Sequence, residues 1–406
     1  MSSREIYLDH AATTPVDPVV ADTMTRIQIR CFANPSSPHA AGRRAYQKLD
    51  ESRTQILKDL KCPDATLIFT SGATEANYLA LFGIKNQAPT ALVTSQRDHE
   101  SLRGAAESLD VFSAARVTLP LDQKGCLCTR SLNDLLSSTK QNTSIKTAPT
   151  NEINPNIFLS TTLVCGQTGT IENMPEIHKI LNGSVTRCTL HVDATQAVGK
   201  IPISFTDINA TSLTFAPHKF GGPRGIGCLI VKKDAEYSPV FPGPQQFEMR
   251  GGTEPLALIA GCQKAVQQAV ERQQIESLRL ARLKDTFESI VCEYARRISV
   301  TPVIVCQNAP RSPHITTIAF PGIDRQAFMM AADLEGIAVA TGTACASGSQ
   351  EPAPALIAIN LSKPVIQSAI RFSFGYTTIE SDLKEASERI CQILKNCTSR
   401  HLIYPR

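Results

Sequence analysis

Between residues 67 and 231, short β-rich runs alternate with stretches of helical periodicity, and this rhythm restricts the fold more than any other feature of the chain. The runs fall at 67–70, 91–94, 116–119, 157–164, 190–192, 213–215 and 228–231, with helical segments such as 42–60, 101–109 and 131–136 before or between them. Parallel strands need long crossover connections, and strands apolar on both faces need cover on both sides. The pattern therefore predicts an α/β fold: a mainly parallel sheet covered by helices on both faces. After Glu254 the rhythm changes. Val266, Ala269 and Val270, then Leu283, Phe287, Ile290 and Tyr294, recur three or four apart and predict one or two long helices up to about Ile298. Strands near Val300, Thr316 and Ile370 then alternate with helices near Gln326 and Leu383, which predicts a second, smaller α+β domain. The expected division is a large domain over 15–262 and a small one formed by 1–14 and 263–406. The polar, aperiodic stretch 137–156 is expected to be an exposed, mobile loop.

Bulk properties exclude several classes of function. A chain of 406 residues with 42% hydrophobic and 19% charged residues has the composition of an ordinary soluble globular protein. A net charge of +4 with scattered basic residues, few aromatics and no Trp offers no stacking platform on a basic stripe, so nucleic acid is not an expected partner. No apolar run approaches membrane-spanning length, so no membrane partner is expected either. Cys126 and Cys128 form the only close pair among thirteen cysteines, and no second pair with a His follows at zinc spacing. Free thiols in a reducing compartment, and no metal, are expected. Residues 1–4 are too few for a targeting segment before patterned sequence begins at Ile6, so a cytoplasmic location is expected.

Four places carry residue types suited to chemistry. In the stretch 214–227 (Thr-Phe-Ala-Pro-His-Lys-Phe-Gly-Gly-Pro-Arg-Gly-Ile-Gly), a β-rich run delivers His218 and Lys219 onto a turn. A lysine hemmed in by apolar residues loses hydration of its ammonium form, which favours the free amine and lets it condense with a carbonyl. This is no nucleotide P-loop, because the lysine precedes the glycines. The run at 67–70 leads into Ser71-Gly72-Ala73-Thr74-Glu75-Ala76-Asn77, where Ser71 or Thr74 can cap a helix whose first N–H groups form an anion site. Asp193 stands where the run at 190–192 stops, at the strand end that faces the crevice in doubly wound sheets, and there it can meet Lys219. A carboxylate paired with a lysine suits pyridoxal phosphate, whose pyridine nitrogen the acid keeps protonated so that the ring acts as an electron sink. Finally, Cys345 lies among small residues between Gly342 and Gly348, where a partner can approach the thiol. Each also has a plainer reading: a solvated lysine beside a turn, two helix caps, a structural cysteine.

Taken together in order, these motifs resemble the NifS-like cysteine desulfurases and the related selenocysteine lyases of the class V aminotransferase group. The likeness runs from Tyr7-Leu8-Asp9 to Arg371-Phe372-Ser373. It implies a fold-type-I homodimer that uses pyridoxal 5'-phosphate to strip sulfur or selenium from a small amino acid, cysteine or selenocysteine, leaving alanine. By the resemblance Lys219 is the lysine that binds the cofactor covalently, and His218 its neighbour at the phosphate. Thr74 and the Gly72-Ala73 backbone form the phosphate loop. His99 stacks on the ring and carries protons, Asp193 partners the ring nitrogen, and Gln196 lies near the ring oxygen. Arg371, assisted by Asn34, clamps the substrate carboxylate, a role that suits a bidentate guanidinium. Cys345 accepts the sulfur as a persulfide and hands it to an acceptor protein, and Thr253 reaches the cofactor of the other subunit.

Three positions depart from the family pattern. Asn-Asn-Glu is here Cys165-Gly166-Gln167, the Ser three residues before the lysine is Ala216, and Gln246 replaces Glu. Weaker cofactor electronics or a shifted substrate preference is the expected result. The alternatives to a desulfurase are a selenocysteine lyase, a non-catalytic scaffold relative, and an aminotransferase of the same fold, which leaves Cys345 unexplained.

Overall fold

The computed structural model describes residues 4–83, 89–108, 114–138, 156–235, 237–342 and 351–403. The expected loop at 137–156 falls mostly outside these residues, and so does Cys345.

The chain opens with β1 (Ile6–Tyr7), then α1 (Pro18–Arg30) and α2 (Ala40–Asp59). Asp17 caps α1 through the N–H of Val19 with Pro18 in the first turn, and His39 caps α2 through that of Gly42. The predicted alternation follows: β2 (Ala65–Thr70), α3 (Ala73–Phe82), β3 (Ala91–Ser95), α4 (Glu100–Ser108), β4 (Ala115–Leu119), α5 (Thr129–Ser138) and β5 (Asn156–Thr162). It continues with α6 (Met174–Asn182), β6 (Arg187–Asp193), α7 (Phe205–Ile208), β7 (Ser212–Phe215) and β8 (Gly227–Lys232). These strands form one seven-stranded sheet in the order β2-β8-β7-β6-β5-β3-β4. Only β8 runs against the others. The C-terminal ends of β2, β3, β5, β6 and β7 therefore lie along one edge of the sheet, the edge where ligands bind in such folds.

A single helix, α8 (Leu256–Arg297), follows. Its 42 residues span about 60 Å at 1.5 Å per residue. Its first turns, through Leu256, Ile259, Cys262 and Val266, pack into the core of the large sheet. From Leu280 onward, Phe287, Val291 and Ala295 pack into a second core. Residue 262, the expected division, thus lies inside a helix that both cores share. Beyond it the chain forms β9 (Val303–Ile304), β10 (Ile315–Ala319), α9 (Arg325–Leu334), β11 (Ile337–Ala338), α10 (Pro354–Ala358), α11 (Lys363–Gln367), β12 (Ala369–Ser373) and α12 (Glu380–Ile403). The second core draws on β10, α9, β11, β12 and α12, whereas Leu356 of α10 and Val365 of α11 pack with Val305 in a smaller cluster. β12, β10 and β9 form an antiparallel sheet, and β1 pairs in parallel with β11. Phe287 packs on Phe372 and Phe374 with ring centroids 4.9 and 5.5 Å apart. Among the described residues no helix is long and apolar enough to cross a membrane, and no group of three or more metal-ligating side chains is assembled.

Gln246 has a role different from the one its departure from the family pattern suggested. It does not line the site cavity; it clips edge strand β2, with the N–H of Phe69 donating to its Oε1 and its Nε2 donating to the Phe69 carbonyl, both at 2.7 Å. A primary amide can donate and accept at once, whereas a carboxylate can only accept. Gln246→Glu would set a buried acceptor against a carbonyl oxygen. It is expected to lower the unfolding free energy by about 1–3 kcal/mol in chemical denaturation.

Candidate active site

A cavity of about 620 Å³ opens along the ligand edge of the large sheet and is closed on its far side by residues from the second core. Ala73, Thr74, His99, Asp193, Gln196, His218, Lys219 and Arg371 all line it.

Strand β2 ends at Thr70 and the chain turns directly into α3. The expected side-chain cap is absent: Gly72 is the N-cap and no side chain caps the helix. Glu75 instead accepts the N–H of Ser71 at 2.7 Å and is itself held by Arg250 at 2.8 Å. The first N–H groups of α3 are thereby left to whatever enters the cavity, and an anion is what a helix N-terminus favours. The turn is tight against β8, since a Cβ on Gly227 would lie 2.3 Å from the carbonyl carbon of Gly72. Only glycine fits there.

Asp98 builds the turn between β3 and α4 that presents His99. Its carboxylate accepts from the N–H and hydroxyl of Ser95 and from the hydroxyls of Ser160 and Thr162, at 2.8–3.2 Å. Burial pushes its pKa up to about 6 even so. Arg97, one residue earlier, is sealed beneath the cavity in a 2.6 Å ion pair with Glu172. His99 turns Nδ1 toward Ser101, whose N–H and hydroxyl lie 3.1 and 2.9 Å away.

Asp193 ends β6, its Oδ1 accepting the N–H of Thr195 at 2.9 Å and its Oδ2 accepting from Asn77 at 3.1 Å. Lys219 ends a short 3-10 turn, Pro217–Lys219, that follows β7. Its Nζ donates to the carbonyls of Ala11 and Ala12, both at 2.8 Å. His218 faces Thr13 at 3.2 Å, and burial, aided by Lys219 and Arg224, lowers its pKa to about 4, so it is a neutral ring at ordinary pH. Gln196 donates to the Ala11 carbonyl at 2.7 Å.

Arg371, from β12, brings the second core into the site. It donates to the carbonyl of Gly166 at 2.8 Å, to that of Gly342 at 3.3 Å, and to Asp9 at 2.8 Å. Position 166 thus contributes its backbone even without a side chain. A Cβ there would meet Gln196 no closer than 3.5 Å, ordinary van der Waals contact, so the position tolerates a Cβ.

Asn34 is not brought in, and Thr253 is expected at the other subunit's cofactor, not in this cavity. Asn34 is exposed and its Oδ1 accepts the N–H of Ser36 at 2.9 Å, organising its own loop. Thr253 is exposed and outside the cavity. Sequence reasoning missed Asp9, the carbonyls of Ala11 and Ala12, and the buried pair Asn77 and Ser101. A polar Asn in the apolar run Ala76–Leu81 was the one legible signal, since a buried amide demands partners. The assembled groups can hold an anion at the helix end, a protonated heterocyclic nitrogen at Asp193, an aldehyde at Lys219 and a carboxylate at Arg371.

Comparison with known proteins agrees with this chemistry. The family model described as aminotransferase class-V matches residues 6–385. Cysteine desulfurase IscS of Dictyoglomus turgidum is 33% identical over 402 residues, covering 97% of this chain and 96% of that protein. An IscS-like cysteine desulfurase of Mycobacterium tuberculosis is 31% identical over 94% of each chain. The X-ray structure of a NifS-like protein from Rickettsia africae superposes with a TM-score of 0.82 at 26% identity, covering 97% of this chain and 100% of that one. With a fold-type-I architecture and an amine, a carboxylate and a guanidinium around one cavity, the chain belongs to the aminotransferase class-V family, among the NifS-like cysteine desulfurases.

Proposed function

We propose that this protein is a cysteine desulfurase that takes L-cysteine to L-alanine, holds pyridoxal 5'-phosphate, works as a homodimer and passes sulfur through Cys345 to an acceptor protein. The observation that carries the reading is the convergence of Lys219, Asp193, His99 and Arg371 on a cavity bordered by the uncapped start of α3. The cofactor's three handles each find a match: its phosphate the N–H groups of residues 73–74 with His218, its ring nitrogen the carboxylate of Asp193, its aldehyde the amine of Lys219. The open side of Gly72, where a Cβ would meet nothing within 4 Å, leaves space for the phosphate. When bound, the cofactor supplies an electron sink for the negative charge formed at the substrate Cα.

The chain's own residues do the rest. Arg371 orients the substrate carboxylate, exchanging Asp9 for it as a bidentate partner. Lys219 Nζ, released from the Ala11 and Ala12 carbonyls, takes the Cα proton and later returns one to the product. His99 moves a proton at its Nε2. The Cys345 thiolate attacks the substrate sulfur: an S–S bond forms, the Cβ–S bond breaks with its electron pair left on carbon, and the alanine skeleton is protonated. Thr253 of each subunit completes the phosphate site of the other. The curated relatives named above are cysteine desulfurases, which favours cysteine over selenocysteine as substrate; rates measured side by side with the two amino acids separate them.

Cys345→Ala is expected to keep the visible cofactor absorbance while losing persulfide and alanine formation, and normal alanine production by this variant would remove Cys345 from its role. Lys219→Ala is expected to lose the absorbance and to slow alanine formation by about 10²–10⁴-fold. A colourless protein that takes up no added pyridoxal phosphate would instead favour a non-catalytic scaffold. Gly166→Asn restores one side-chain hydrogen bond and is expected to tighten cofactor binding by about tenfold in equilibrium dialysis. An unchanged Kd would mean that only the carbonyl of residue 166 matters.

A further inference from the structure

A buried polar network lies behind the cavity, and its geometry fixes more than its distances. Asn77, on α3, is 0% exposed. Its Nδ2 donates to Asp193 Oδ2 at 3.1 Å and to Ser101 Oγ at 2.8 Å, and its Oδ1 lies 3.0 Å from His191 Nε2. The carboxylate of Asp193 is an acceptor, so the amide nitrogen must face it and the amide cannot be flipped. The amide oxygen then faces His191, which must donate from Nε2. Its Nδ1 is left to accept from Ser212 Oγ at 2.8 Å. Burial lowers the His191 pKa to about 4, in keeping with this neutral form.

The same logic runs the other way. His99 Nδ1 accepts the Ser101 N–H, so it carries no proton of its own, and Ser101 Oγ, which accepts from Asn77, must donate its hydrogen to it. Two donors converge on Nδ1, and neutral His99 must carry its proton on Nε2. Protonating Nδ1 would break both bonds.

We propose that Asn77 is a positioning residue: through Ser101 it ties the carboxylate of Asp193 to the imidazole of His99 and restricts that ring to proton transfer at Nε2. The inference rests on the reading of His99 and Asp193 as cofactor-site residues, but its central claim concerns the bare chain. The carboxylate proposed to meet the cofactor's ring nitrogen and the imidazole proposed to lie over its ring are thereby tied to one amide. Hydrogen-bonded groups of this kind act as a unit, so their removal should not add.

The test uses full-length protein with ¹⁵N-labelled histidine, without cofactor, with the His99 signals assigned by His99→Gln. The wild type should show His99 as a single neutral tautomer with its proton on Nε2. Asn77→Ala and Ser101→Ala should each shift the Nδ1 resonance in the same direction, the double variant should match Ser101→Ala, and Ser101→Thr, which keeps the hydroxyl, should restore the wild-type signal. In loaded enzyme each single alanine variant should slow alanine formation by roughly tenfold, and the pair by no more than either alone. Folded Asn77→Ala with unchanged His99 signals, or losses that multiply in the double variant, would overturn the proposal. Should Asn77→Ala fail to fold, an unchanged Nδ1 signal in Ser101→Ala overturns it equally. A chain that makes no alanine but shows the expected spectra would count against the proposed function and not against this network.

Discussion

The residues at the start of the chain hold the site together from both sides. Ile6 and Leu8 are buried in the second core, and a few residues later the backbone passes through the cavity wall of the first. There Asp9 takes Arg371, the carbonyls of Ala11 and Ala12 take Lys219, the Ala11 carbonyl also takes Gln196, and Thr14 binds the His218 carbonyl and the Gly221 N–H. These partners are some 180 to 360 positions away in sequence. The strap joins the Arg371–Gly166 bond and the shared helix α8 in fixing the amine against a guanidinium from the other core. Two neutral carbonyls hold the amine in place.

Two arginines show how burial divides structural from functional charge. Arg97 and Glu172 are 0% and 1% exposed, and Thr161 and the N–H of Leu127 also bind the carboxylate. Breaking such a pair strands a charge in a dry interior, which costs about 3–5 kcal/mol. It fixes the turn below His99. Arg371 is just as enclosed, but its partner Asp9 is 20% exposed. Arg371 itself lines the cavity, and on the proposed reading an incoming carboxylate competes there for the guanidinium. The same two residue types build a floor in one place and, on the proposed reading, a recognition site in the other.

The departures from the family pattern also sort by position. Gly166 borders the cavity, beside Gln196 and Arg371, where a missing side chain alters what a ligand meets. Ala216 is fully buried at the entry to the 3-10 turn that carries Lys219. Gln246 clips an edge strand and belongs to stability alone. Position decides whether a change of donor reaches the chemistry.

Much of this was legible from the residues in order. Apolar, β-rich runs separated by helical spacing specify a parallel sheet, because burial on both faces and long crossovers leave little else. The residues that end its strands were legible too, since Asp193 and Lys219 are polar groups set directly after apolar runs. Cores and strand ends follow local patterns, and local patterns survive in one dimension. What only the tertiary structure decided was pairing over long separations: that Asp9 meets Arg371, that Ala11 and Ala12 meet Lys219, that Asn77 joins Asp193 to Ser101 and His99, and that α3 begins without the cap its Ser and Thr suggested. A backbone carbonyl carries no sequence signature, and an amide's partners depend on what folding places around it. Those contacts exist only once distant stretches of the chain have folded against one another.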